Sequence, residues 1–314
     1  MDAFSDSGEL YTIRYQFYTN QYHKVKSYSL EEFSEENQLK VLEFQIRSTV
    51  ALDQDASQLI EQGKTRFPDN EGFFQLLQAW NDLHDFGTDD STYFEDLKQA
   101  KFELQAILTS LYLVKFAKDI DQSIKFLTDY IDKLNNLQKY NEIEVFLTLI
   151  QLYFIKGNFK QATAIFKVLN LFPDFSRDNI IYQIIESWYI SIQNGTDNVN
   201  NSYSLYDEVL SNSYSDEDVK GKVHNLTVLL VLTLQLKHYP EAQEILDQIS
   251  TLTNEKSADL IANQITLDRL VNYGQGTNEL LVELKRVNAE HELIKDEESK
   301  NEVFDAIVAK YQTV

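Results

Sequence analysis

A chain of 314 residues, 43% hydrophobic and 25% charged, can bury a sizeable core and has room for two ordinary domains or one extended solenoid. Its formal charge of −22 repels phosphate backbones and anionic lipid headgroups, which argues against direct nucleic-acid binding and against a polybasic membrane anchor. Cysteine is absent, and Gly (9) and Pro (3) are scarce, so disulfides, thiolate metal sites and cysteine nucleophiles are excluded and many-stranded folds are disfavoured.

The opening MDAFSDSGEL has no basic segment followed by an apolar one, so a signal peptide is not expected and the chain reads as cytosolic. From there to the end, apolar residues recur at spacings of three and four. Short polar breaks interrupt them near 19–21, 67–70, 86–91, 135–141, 156–158, 172–174, 194–201, 211–216, 237–240, 253–256 and 273–277. Helices of ~12–16 residues joined by such short turns must pack against their sequence neighbours as hairpins.

In the first third, Ala56, Ile60, Gly63 and Pro68 fall at the small, bulky, small and proline positions of a two-helix repeat. The clearest unit is Glu142–Asp174, which resembles a tetratricopeptide repeat of ~34 residues. Phe146, Leu149 and Tyr153 hold its first helix, with Ile150 where a glycine is usual. Gly157 and Phe159 make the turn, Gly157 being free to take a positive φ. Ala162 lets the paired helices approach, Phe159 and Phe166 fill the space between hairpins, and Pro173 stops the second helix. Phe172-Pro173-Asp174 repeats Phe67-Pro68-Asp69 at 105 positions, three periods of ~35. After the helix holding Trp188, the polar run Gln193–Asn201 reads as an insert between repeats. A second clear unit occupies Asn225–Ser250. Its turn is Lys237-His238-Tyr239, Pro240 starts its second helix, and Ala242 and Leu246 stand where Ala162 and Phe166 stand in the first. Two final helices around His291 are expected to cap the stack. The expected fold is therefore all-α: a tetratricopeptide-like right-handed α-solenoid over 1–275, with a C-terminal helical cap over 276–314.

No chemistry-bearing pattern stands out. The five histidines, His23, His84, His224, His238 and His291, never pair at the i, i+4 spacing that aims two at one metal. There is no phosphate-cradling glycine loop, and Gly274-Gln275-Gly276 reads as a turn. Asp89-Asp90-Ser91-Thr92 reads as a helix N-cap, and Asp53-Gln54-Asp55 lacks the glycine and terminal glutamate of a calcium loop. Aromatic residues occur at helix contacts without interleaved cations, so a single-strand stacking platform is not expected. The longest apolar run, Leu226–Leu236, is shorter than the ~20 residues a bilayer span requires. The reading is non-enzymatic, with no cofactor and no metal.

Three blocks resemble the epsilon-subunit family of the coatomer (COPI) vesicle coat, in its fungal form. They are Glu9–Val25, Ser187–Val209 and Leu284–Tyr311, the last through His291, Ile294, Lys295, Lys300, Phe304, Asp305 and Tyr311. Glu292 stands where the family has proline after its histidine, and a proline after the final tyrosine is missing. The resemblance implies a cytosolic coat subunit, peripheral on Golgi membranes and on vesicles that return cargo to the endoplasmic reticulum. It implies a helical superhelix curled into a ring, through which the C-terminal domain of the alpha coat subunit (alpha-COP) passes, with membrane contact only through the coat.

In repeats of this kind the first helix of each hairpin lines the concave side. That places Leu147, Gln151 and Phe154 of one unit, and Thr227, Val231 and Leu234 of the other, as candidate partner-binding residues. The alternative is another tetratricopeptide adaptor or co-chaperone that grips a peptide tail. Such a grip needs cations on the concave face, and Leu147, Gln151 and Val231 supply none.

Overall fold

The computed structural model describes residues 8–88, 92–132, 143–172, 174–193, 195–211 and 214–311. Among them are seventeen α-helices, three short 3-10 turns and no strand. Successive helices pack in pairs, giving the all-α tetratricopeptide-like solenoid expected from the apolar periodicity. The chain divides into two compact units, residues 1–198 with 213–221, and residues 199–212 with 222–314.

The first unit contains α1 (Tyr11–Tyr18), α2 (Tyr22–Ser27), α3 (Glu35–Ala51), α4 (Ser57–Arg66), α5 (Glu71–Phe86), α6 (Tyr93–Asp96), α7 (Glu103–Lys115), α8 (Ile120–Asp132), α9 (Glu144–Ile155), α10 (Phe159–Leu169) and α11 (Ile180–Ile192). Its inner helices pack in a closed circuit: α1 on α3, α3 on α5, α5 on α7, α7 on α9, α9 on α11, and α11 back on α1. For this reason α3 is buried at every residue from 41 to 50, and α9 at every residue from 143 to 150. An outer helix such as α10 buries only one stripe, Ala162, Phe166 and Leu169.

The best-predicted hairpin is α9–α10. Gly157 takes φ +65° at its turn, and Ala162 is fully buried at the helix crossing. Phe159 departs from expectation. It is the first residue of α10, is 52% exposed and leans on Phe154 at the turn. At the amino-terminal repeat, Gly63 is required by packing. A Cβ there would stand 2.3 Å from the Phe74 ring and 2.8 Å from Leu42. The expected break at 135–141 and the proposed cap at 89–91 lie outside the described residues.

The second unit contains most of α12 (Thr196–Ser211) and α13 (Val219–Gln235), then α14 (Tyr239–Leu252), α15 (Ala258–Val271), α16 (Thr277–Val287) and α17 (Glu292–Tyr311). The expected insert at 193–201 is corrected here: α12 already begins at Thr196. Its polar opening hides an apolar stripe, Val199, Tyr206 and Val209, which supplies the burial a helix needs. The extra length between repeats lies instead around 214–218, which runs back to the first hairpin of the first unit. Lys237 adopts φ +62° at the α13–α14 turn, the conformation for which α9–α10 uses glycine.

Candidate partner-binding surface

The six candidate residues fall into different environments. Leu147 on α9 is 8% exposed and Leu234 on α13 is 9% exposed; both are core residues. Gln151, Phe154 and Thr227 are half-buried, and Val231 is 37% exposed. Thr227 and Val231 lie four residues apart on α13, so they share a helix face. Leu147 and Val231 are thus not equivalent, although sequence periodicity gives them the same place in their repeats. The circuit of inner helices in the first unit covers Leu147, whereas Val231 keeps its face open.

Charge fills the middle of the first unit. Arg47 on α3 donates to Glu144 on α9 from both Nη1 and Nη2, one contact being 3.1 Å, and Nη1 also donates to Glu43 at 3.1 Å. Lys40 closes on Glu43 at 2.8 Å, and the Arg47 guanidinium stacks over Phe17 at 4.7 Å. Arg47, Glu43 and Glu144 are each less than 9% exposed. Burial alone would lower the Arg47 pKa, but the carboxylates of Glu144 and Glu43 outweigh it and hold the guanidinium charged. Burial likewise opposes ionisation of Glu144, and Arg47 overcomes it, so its carboxyl lies below its ordinary value of 4.5. Burial and the adjacent Glu144 carboxylate push the Tyr18 phenol well up, keeping it neutral.

Beside this network is a cavity of about 200 Å³ lined by Arg14, Tyr18, Lys40, Glu103, Glu144 and Asn179 among others. Glu103 accepts the backbone N–H of Glu144 at 2.8 Å and so caps α9. Asn179 caps α11 through the N–H of Ile181 at 2.9 Å. The signal for this chamber was present in the sequence: Glu43 and Arg47, spaced i, i+4, stand among Val41, Leu42, Phe44, Ile46 and Val50 on α3. Periodicity alone does not reveal their partner 97 positions away.

The apolar surface at the chain's far end was also missed. Val303, Phe304, Ile307 and Tyr311 on α17 are 47–78% exposed and form one stripe, while Ile294 is the buried residue of that helix. Among the described residues no group of three or more His, Asp or Glu is placed to hold a metal ion, and no helix is long and apolar enough to cross a membrane.

Compared with known families, residues 6–312 match the one described as "Coatomer epsilon subunit". A similar curated protein is the coatomer subunit epsilon of Saccharomyces cerevisiae, 27% identical over 240 residues. That match covers 71% of this chain and 77% of the yeast protein.

Proposed function

Because the chain belongs to the coatomer epsilon subunit family and is thereby a subunit of the COPI coat, we propose that it binds and stabilises the C-terminal domain of the alpha coat subunit. In this reading it serves Golgi-to-endoplasmic-reticulum and intra-Golgi transport as a non-enzymatic part of the coat. It works in the cytoplasm and meets Golgi membranes and coated vesicles only through the assembled coat. The observation that carries the reading is the family match over residues 6–312. The open α13 face with Thr227 and Val231 supports it as a place for a polypeptide partner. We take 276–314 as the cap of the solenoid, with α16 and α17 closing on α15 through Leu284, Ile294, Ile261 and Ile265.

Co-expression with the tagged alpha-subunit domain tests the proposal. Retention of this chain in a stoichiometric complex through gel filtration is the expected result. An intact, folded chain that elutes alone would overturn it.

A further inference from the structure

The contacts that close the first unit add long-range polar links to helix packing. Along the chain, successive hairpins are joined by apolar side chains: Val25, Val41 and Phe44 hold α2 to α3, and Ile46, Ile60, Phe74 and Leu77 hold α3, α4 and α5 together. Where the circuit closes, α11 packs on α1, and polar links spanning 97 to 195 positions join the two sides. The Tyr214 hydroxyl donates to the carbonyl of Thr19 at 3.1 Å. Asp218 Oδ1 accepts the backbone N–H of His23 at 2.9 Å and stands 2.9 Å from His23 Nδ1, so a residue 195 positions away caps α2. Lys220 meets Asp53 at 3.2 Å, and the Arg47–Glu144 pair crosses the circuit inside. Gly221 is pressed so closely on the turn that a Cβ there would stand 2.0 Å from the carbonyl oxygen of Asn20, itself at φ +63°.

We propose that this junction, between the first hairpin with α3 on one side and α11 with residues 214–221 on the other, is a clasp that opens and recloses while the repeats on each side stay folded. Polar groups released there return to water, so separating them costs far less than exposing an apolar core. Asp218 is poised in the same sense: its carboxylate is buried, yet Oδ2 has no hydrogen-bond partner among the described residues. Opening would hydrate that oxygen, together with Arg47 and Glu144, and would widen the cavity of about 200 Å³ beside them. The clasp does not depend on the identity of the coat partner.

The absence of cysteine permits a clean test. Spin labels at Ser27→Cys and Asp216→Cys, both exposed, span the junction, while labels at Ser27→Cys and Glu36→Cys stay on one side of it. Pulsed electron spin resonance on the full chain should give the spanning pair a second, longer distance that the one-sided pair lacks. That population should grow roughly threefold or more in Asp218→Asn, and in the milder Tyr214→Phe, with the one-sided distance unchanged. A single spanning distance, as narrow as the one-sided pair and unaltered in both variants, would overturn the proposal. So would broadening of both pairs together, which marks loss of fold and not a hinge.

Discussion

Arg47 and Glu144 stand 97 positions apart in sequence and form a two-pronged ion pair that joins α3 to α9 across the first unit. Glu43 and Lys40 extend it on the α3 side, and Tyr18 covers it from α1. A pair this deeply buried contributes less through its own attraction than its removal from one side would cost, because the surviving charge has no water to return to.

Substituting one partner should therefore be worse than substituting both. Arg47→Met alone is expected to cost about 3–5 kcal/mol, since it strands Glu144. Arg47→Met with Glu144→Leu should recover a large part of that loss, Glu43 keeping its Lys40 partner. Urea unfolding of both single variants and the double variant measures the coupling. A double variant whose loss equals the sum of the two single losses would mean that the two side chains do not act on each other.

Acid should weaken the same link. The Glu144 carboxyl is held below its ordinary value of 4.5, first against the opposing effect of burial and then by Arg47. A depressed carboxyl contributes stability above its unfolded pKa and loses it as pH falls through the folded one. Stability should thus be flat from neutral pH down to about pH 5 as far as this group is concerned, and fall below that. Glu144→Gln should be less stable at neutral pH and should show a shallower fall between about pH 4.5 and pH 2. Parallel pH profiles for the two proteins would remove Glu144 from the account.

Gly63 and Gly72 should respond oppositely to alanine. Gly63→Ala forces a methyl to 2.3 Å from Phe74, a ring with no exposed surface, and is expected to cost about 1–3 kcal/mol by overpacking. Gly72, at the start of α5, has no atom within 4 Å of the added Cβ, so Gly72→Ala should be neutral or stabilising by up to about 1 kcal/mol. Ala162→Leu and Ala242→Leu, at fully buried helix crossings, belong with Gly63 and should each cost about 1–3 kcal/mol. Thermal melts of the four variants show whether the helix crossings are tight.

The repeat units were legible in the sequence because their cues are local. Gly157 before α10, Ala162 and Ala242 at crossings and Pro240 at a helix start each carry a conformational or steric meaning within a few residues. The closure of the first unit was not legible, since Asp218 and His23, or Arg47 and Glu144, look like ordinary surface charges until folding brings them together. The same closure explains why equal repeat positions have unequal exposure. Leu147 is sealed by its circuit, and Val231 is not. The polar run 193–201 looks like an insert between repeats in the sequence, but polarity on the outer face of α12 is what an amphipathic helix requires.

The proposed partner face on α13 allows binding and folding to be tested separately. Val231→Asp replaces an exposed side chain and should leave the unfolding midpoint within about 0.5 kcal/mol of the parent, while lowering retention of the alpha-subunit domain. Leu234→Ala, three residues on but 9% exposed, should cost about 2–4 kcal/mol of stability through the cavity it leaves. Pull-down beside urea unfolding reads the two effects separately. Full retention by Val231→Asp, with stability unchanged, would move the partner face away from this part of α13.

The outer half of α17 should be dispensable for folding. Residues 300–311 bury almost nothing, Val308 alone being half-covered, and the helix is anchored earlier by Ile294 against Leu284, Ile261 and Ile265. A helical segment of about a dozen residues without tertiary support is marginal in water, so its amides should exchange with deuterium far faster than those near Ile294. Deleting 300–314 should leave the unfolding midpoint of the remaining chain unchanged and reduce self-association at high concentration, since Phe304, Ile307 and Tyr311 leave with it. Ile294→Ala, in contrast, should cost about 2–4 kcal/mol and loosen α16 as well. A deletion that lowers the midpoint as much as Ile294→Ala would show that the exposed stripe packs on the protein in solution.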